Sequence, residues 1–172
     1  MTHLINPKRY PKDGIFRKIR FLIWKACCSP LIALGFRNID FYYLHGSNSK
    51  INKLKLGSGV STADAIFNIS SGNITIGDNT LFGHGVMILT GFHRFHNGKL
   101  AKLQSNSPKE VPDEGYDITI GNGCFLGSGV IVLSGLTIGD NTIIGAGAVV
   151  DKDIPSKVFA AGIPARIIYS NK

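Results

Sequence analysis

The feature that most constrains this chain is a period of six. Aliphatic residues recur at Ile120, Leu126, Val132, Ile138, Ile144 and Val150. Glycine follows the aliphatic at Gly121, Gly127, Gly139 and Gly145, and Gly, Asn or Asp falls three places on at Gly123, Gly129, Gly135, Asn141, Gly147 and Asp153. The same phase occurs earlier at Ile76, Phe82 and Ile88, with Gly77 and Gly83. A helix repeats every 3.6 residues and a strand every 2, so neither sustains a six. A six-residue unit works as a short strand closed by a tight turn. One aliphatic points inward, and Gly, Asn or Asp sits where the backbone needs positive φ. Three units make a triangular coil, and stacked coils pair each strand in parallel with the one above. The stack buries an aliphatic column that no single repeat buries alone. The fold class expected is all-β, a parallel β-helix.

Composition divides the chain near Leu56. Residues 1–55 hold 11 Lys/Arg and 2 Asp/Glu, a charge of +9, whereas residues 56–172 hold 8 and 9, a charge of −1. Eighteen of the 21 glycines lie in the second part. The organisation read from this is a basic, partly helical N-terminal segment (1–50), a prism of repeats (51–155) and a C-terminal segment (156–172). The phase is lost between Ile88 and Ile118, where Gly91 to Asp117 is polar and carries His93, His96, Pro108 and Pro112. That stretch reads as an excursion loop, 91–117, and long loops on a regular scaffold usually carry function.

Cys27 and Cys28 are adjacent and Cys124 stands alone, so neither CxxC metal spacing nor an even disulfide framework is present. A reducing compartment is expected. Met1 to Gly14 is polar, basic and contains proline, unlike a signal peptide. Phe21 to Phe36 is broken by Lys25 and Pro30 and is too short to span a bilayer. The expected location is cytoplasmic. Ile15 to Lys25 mixes bulky apolar residues with cations, and Pro30 ends any helix before Leu31. Two uses stay open for that segment: a helix packed on the end of the prism with its cations solvated, or a helix resting on an anionic membrane face. The basic residues show no recognition motif for nucleic acid, which is therefore not an expected partner.

Ile118-Thr119-Ile120-Gly121-Asn122, Ile138-Gly139-Asp140-Asn141, Ile144-Gly145-Ala146-Gly147, Lys152-Asp153-Ile154-Pro155 and Ala160-Ala161-Gly162 resemble the C-terminal half of the galactoside and maltose O-acetyltransferases. Over roughly residues 51–170 the chain resembles the hexapeptide-repeat, left-handed parallel β-helix family. The left hand is implied by the resemblance and departs from the usual right-handed crossover. The resemblance also implies acetyl-CoA as co-substrate, with no metal, and a homotrimer with active sites between neighbouring prisms. It implies that the amides of Ser128 and Ala146 contact the thioester and pantetheine arm, with Lys152 and Arg166 near the nucleotide phosphates, where charge-assisted hydrogen bonds are needed. Two positions depart from the pattern: Phe125 stands where the sugar enzymes usually have Trp, and Asp151 replaces a hydroxyl residue.

Acyl transfer from a thioester to a hydroxyl needs a general base, because an alcohol is almost wholly protonated at neutral pH. Histidine suits that task, and the chain has five: His3, His45, His84, His93 and His96. The family places its base where a coil opens into the loop, which here is His93. By resemblance His93 takes the acceptor proton in a ternary complex without an acyl-enzyme, the Ser128 amide donates to the oxyanion, and His96 touches the acceptor. His84 reads as structural. Asp113, Glu114, Asp117 and backbone carbonyls are all open as the group that orients His93. The acceptor side matches less well, with Ala63 and Ser70 or Ser71 where the sugar enzymes carry Asn and Asp. Asp64 and Asn68 are the nearby candidates for binding a different sugar.

The function expected is acetyl transfer to a sugar hydroxyl of a surface polysaccharide or its precursor, with the carbohydrate acceptor carried in one version on a lipid-linked glycan. Three alternatives are a streptogramin-type xenobiotic acetyltransferase, a zinc carbonic anhydrase on the same prism, and a non-catalytic trimeric scaffold. The histidine spacing does not match widely separated zinc ligands.

Overall fold

The structure is a computed structural model, and it describes residues 42–46, 52–103 and 110–170. The helix expected within residues 15–36 lies outside the described residues. In chain order the strands begin β1 (Tyr43–His45), β2 (Leu54–Leu56), β3 (Ile66–Asn68), β4 (Ile74–Ile76), β5 (Leu81–Phe82) and β6 (Met87–Leu89). Two short strands, β7 (Phe95–His96) and β8 (Lys99–Leu100), occupy the excursion. The repeat resumes with β9 (Ile118–Ile120), β10 (Phe125–Leu126), β11 (Ile131–Val132), β12 (Leu136–Ile138), β13 (Ile143–Ile144) and β14 (Val149–Val150). It closes with β15 (Val158–Ala161) and β16 (Arg166–Ser170).

These strands form three faces of a parallel prism. The first face runs β1-β3-β6-β11-β14, the second β2-β4-β9-β12, and the third β5-β10-β13-β15, with β16 added antiparallel at its end. Each face repeats every 18 residues where the coil is regular: Ile118 pairs with Leu136, Phe125 with Ile143, and Ile131 with Val149. Across the excursion the step is 44, as Ile74 pairs with Ile118, so the loop adds 44 − 18 = 26 residues to one coil without disturbing the register.

The six-residue column is the core. Ile76, Ile120 and Ile138 stack on the second face, Phe82, Leu126 and Ile144 on the third, and Ile88, Val132 and Val150 on the first, all of them buried. Burying each such side chain stabilises the prism by roughly 1.5–3 kcal/mol.

The two glycine positions of the repeat do different jobs. Positive φ falls on the third residue after the aliphatic, at Asn79, Gly123, Gly129, Gly135, Asn141 and Gly147. Asp153 breaks this rule, and Lys157 takes positive φ further along the coil instead. The glycine directly after the aliphatic is required by close approach. A Cβ on Gly127 would lie 2.6 Å from the Ala146 nitrogen of the next coil. The same logic holds at Gly121, where a Cβ would meet Asp140.

Side-chain staples tie the corner between the second and third faces. Asp78 Oδ1 accepts the Ser58 amide at 2.7 Å, Asn122 Oδ1 the Asp78 amide at 2.8 Å, and Asp140 Oδ1 the Asn122 amide at 2.6 Å. Inside, the Cys124 thiol donates to the Gly139 carbonyl, and burial pushes its pKa up. No helix among the described residues is long and apolar enough to cross a membrane.

Candidate active site

The described residues of the excursion, 91–103 and 110–117, form an organised arm. It leaves the first face after β6, where the Thr90 amide and hydroxyl both donate to the Asn68 carbonyl. Asn97-Gly98, both at positive φ, turns β7 back on β8 as a tight hairpin. Phe92 stacks on Tyr116 with centroids 5.0 Å apart, joining the outgoing and returning limbs. The Arg94 amide donates to the Glu110 carbonyl at 2.8 Å, and the Ala101 amide to the Arg94 carbonyl at 2.9 Å. The arm returns to the prism at Asp117, whose carboxylate accepts the Asn73 backbone and side-chain amides. These bonds hold the Asp117 carboxyl below its ordinary range.

This arrangement positions His93. Its Nδ1 lies 2.9 Å from Glu110 Oε1, with the imidazole 63% exposed and the carboxylate 23% exposed. A carboxylate accepts only, so Nδ1 carries the proton and Nε2 of the neutral ring is left as acceptor. That is the arrangement of a base oriented by a carboxylate. The carboxylate against His93 is Glu110 and none of the three acidic candidates read from the sequence; of those, Asp117 holds Asn73, and Asp113 receives the Lys53 ammonium at its backbone carbonyl. Glu110 lies 17 residues from His93. The overlooked signal was Asn97-Gly98, a hairpin dipeptide that folds the arm back on itself. His96 lies on β7, exposed, and pairs in register with Lys99.

The other expected residues distribute along the prism. Asp64 Oδ1 accepts the Gly85 amide at 2.6 Å and lies 3.5 Å from the exposed His84 imidazole. Asp64 thus staples a turn. Asn68 ends β3 beside the base of the arm, where a Cβ on Gly91 would meet its side-chain amide. Its Oδ1 accepts the Ser70 amide at 2.9 Å.

Ser128 and Ala146 occupy the same corner on successive coils, between the third and first faces. The Ser128 hydroxyl accepts the His84 amide from the coil before it. Ala146 carries no acceptor to do the same for Ser128. Among the described residues neither the Ser128 nor the Ala146 amide donates a hydrogen bond, and both residues are exposed. Asp64 and the Ser128 hydroxyl staple the earlier coils of this corner at the Gly85 and His84 amides, and the staples stop there, which leaves the Ser128 and Ala146 amides as a short row of undonated backbone donors. The arm and this row leave opposite edges of the first face: the turn at Ser128 leads into β11, whereas the arm follows β6 out of it.

Beyond the row lies the chain's last hairpin. Arg166, at the start of β16, donates from Nη1 to Asp151 Oδ1 at 3.0 Å and to the Ala165 carbonyl at 2.7 Å. Lys152, the residue after Asp151, is exposed. No group of three His, Cys, Asp or Glu side chains comes together among the described residues.

Residues 117–152 match the bacterial transferase hexapeptide family, described as six repeats. The chain carries this hexapeptide repeat. Its prism is accordingly the left-handed parallel β-helix of that class. The hexapeptide chain is 36% identical over 127 residues to a galactoside O-acetyltransferase of Escherichia coli K12, covering 74% of this chain and 56% of that one. It is 31% identical over 116 residues to a protein of the same strain named, by inference, a colanic acid biosynthesis acetyltransferase, covering 67% and 58%. A solved galactoside acetyltransferase in complex with coenzyme A superposes with a TM-score of 0.57 at 26% identity, over 96% of this chain and 76% of that one. The hexapeptide chain thus spans little more than half the length of the two relatives.

Proposed function

We propose that this chain is an acetyl-CoA-dependent O-acetyltransferase acting on a sugar hydroxyl of a surface polysaccharide or glycan precursor. The observation that carries the reading is the His93–Glu110 pair at 2.9 Å, on an arm that leaves the first face at the edge opposite the unused Ser128 and Ala146 amides. The names of the relatives, galactoside O-acetyltransferase and colanic acid biosynthesis acetyltransferase, support the reaction and the class of acceptor. The +9 charge of residues 1–55 supports an acceptor presented on an anionic, lipid-linked carrier on the cytoplasmic side.

The chemistry follows from the residues present. Acetyl-CoA supplies the activated acetyl group. His93 Nε2 takes the proton of the acceptor hydroxyl as its oxygen attacks, while Glu110 holds the ring through Nδ1. The Ser128 amide donates to the oxygen on which charge develops. The imidazolium then returns its proton to the departing thiol. Arg166 and Lys152 hold the nucleotide phosphates, the Ala146 amide the pantetheine arm, and Asn68, His96 and Asp64 line the acceptor side. Because His93 and the amide row leave opposite edges of one face, the reading pairs His93 of one copy with the row of a neighbour in a homotrimer.

The test is release of coenzyme A thiol from acetyl-CoA with a panel of free sugars, polysaccharide fragments and streptogramins. Turnover confined to saccharide acceptors, reduced by roughly 10²- to 10⁴-fold in His93→Ala with coenzyme A binding retained, is the expected result. Full activity in His93→Ala removes this base from the mechanism. No turnover and no coenzyme A binding would leave the prism a scaffold.

A further inference from the structure

The pair formed by Arg166 and Asp151 deepens that reading and rests on it. Arg166 is the guanidinium expected at the nucleotide phosphates, yet its Nη1 already lies 3.0 Å from the Asp151 carboxylate, with the two side chains 49% and 37% exposed. A second bond from Nη1 to the Ala165 carbonyl fixes the head group. Arginine carries five N–H donors, so these contacts orient the fork and leave donors over. The charge is another matter. A phosphate arriving at the remaining donors meets a carboxylate a few ångströms behind the cation, and the two opposed charges largely cancel at that range.

We infer that Asp151 sets the affinity for the acyl donor, by neutralising Arg166 and weakening the hold on the nucleotide phosphates of coenzyme A. The geometry separates this role from simple support of the guanidinium. Support predicts that removing the carboxylate weakens binding, whereas neutralisation predicts that it tightens. A lightened hold acts on donor and product alike, since both carry the same nucleotide, and it speeds departure of the product.

The experiment is calorimetric titration of the full chain and of Asp151→Asn with coenzyme A and with pantetheine, which lacks the phosphates. Asn keeps the size of the exposed side chain and removes only its charge. The expected result is about fivefold tighter coenzyme A binding in Asp151→Asn, the equivalent of one well-exposed ion pair. Pantetheine affinity stays unchanged, and the gain disappears in an Arg166→Gln background. Unchanged or weaker coenzyme A binding overturns the inference, as does an equal gain for pantetheine or a gain that survives Arg166→Gln. If coenzyme A binds the unaltered chain but Asp151→Asn binds it no more tightly, this inference alone fails. If coenzyme A binds neither protein, the acyl-donor reading fails with it.

Discussion

A histidine on an arm is a poor base until something fixes its ring and its tautomer. In the proposed mechanism that task falls to Glu110, whose carboxylate lies 2.9 Å from His93 Nδ1. Replacing Glu110 with Gln keeps the shape but allows the amide to donate to Nδ1, which favours the tautomer with its proton on Nε2. The expected outcome is a fall in kcat of roughly tenfold or more with KM for both substrates nearly unchanged. The loss stays well short of that seen for a buried triad carboxylate, because the imidazole is 63% exposed and water can take over part of the orientation. Steady-state kinetics with both substrates varied checks this, and an equal loss through KM would mean that Glu110 only shapes the acceptor mouth. His93 is singled out by the family resemblance, which places a base where the coil opens into the loop. Its partner was not legible, because which of the neighbouring carboxylates returns to the histidine depends on how the arm folds back, and the sequence reading took the stretch as a loop without placing the Asn97-Gly98 hairpin.

At the scale of the element, the coil is limited by backbone contact between its layers. Gly127→Ala would place a Cβ 2.6 Å from the Ala146 nitrogen and 2.8 Å from its Cα, with the Gly145 carbonyl carbon at 3.1 Å, so the clash is with backbone of the next coil and no flexible side chain is there to yield. The expected cost is about 1–3 kcal/mol, read as a lower midpoint in urea with an unchanged slope. The hexad pattern identified this glycine without the reason for it, since the positive φ of the turn lies two residues on at Gly129, with φ +71. Spacing alone does not distinguish a positive φ from a close approach. The return of the arm gives a second prediction. Asn73 amides hold the Asp117 carboxyl below its ordinary value of 3.8. A carboxyl lowered by folding stabilises the fold above its unfolded pKa and gives that up as pH falls through the folded one. The unaltered chain therefore loses this support below about pH 4. Asp117→Asn should be less stable at neutral pH and show a smaller drop on acidification, measured by thermal unfolding from pH 7 to pH 3.

For the whole molecule, the three faces differ on their outer sides, and the difference bears on how copies would assemble. The second face presents Lys55, Thr75, Thr119 and Thr137 in register, a polar ladder suited to water. The first presents Tyr43, Ile66, Met87, Ile131 and Val149, and the third Leu81, Phe125, Ile143 and Phe159, the last stacked on Tyr169. Two apolar faces meet at the corner that carries the Ser128 and Ala146 amides, so covering those faces with further copies would bury the amide row in a cleft. Apolar patches running the length of a prism are what subunit interfaces leave on a single chain. Within the proposed trimer, Met87→Arg on the first face puts a charge into that contact while leaving the inward column of Ile88 untouched. Sedimentation should then show the unaltered chain at three times its sequence mass of 18.5 kDa and the variant as monomer. The β-rich circular dichroism should be unchanged, and transferase activity should fall together with the trimer, because each proposed site draws His93 and the Ser128 amide from different copies. A monomeric variant with full turnover would place both groups of one site on one chain.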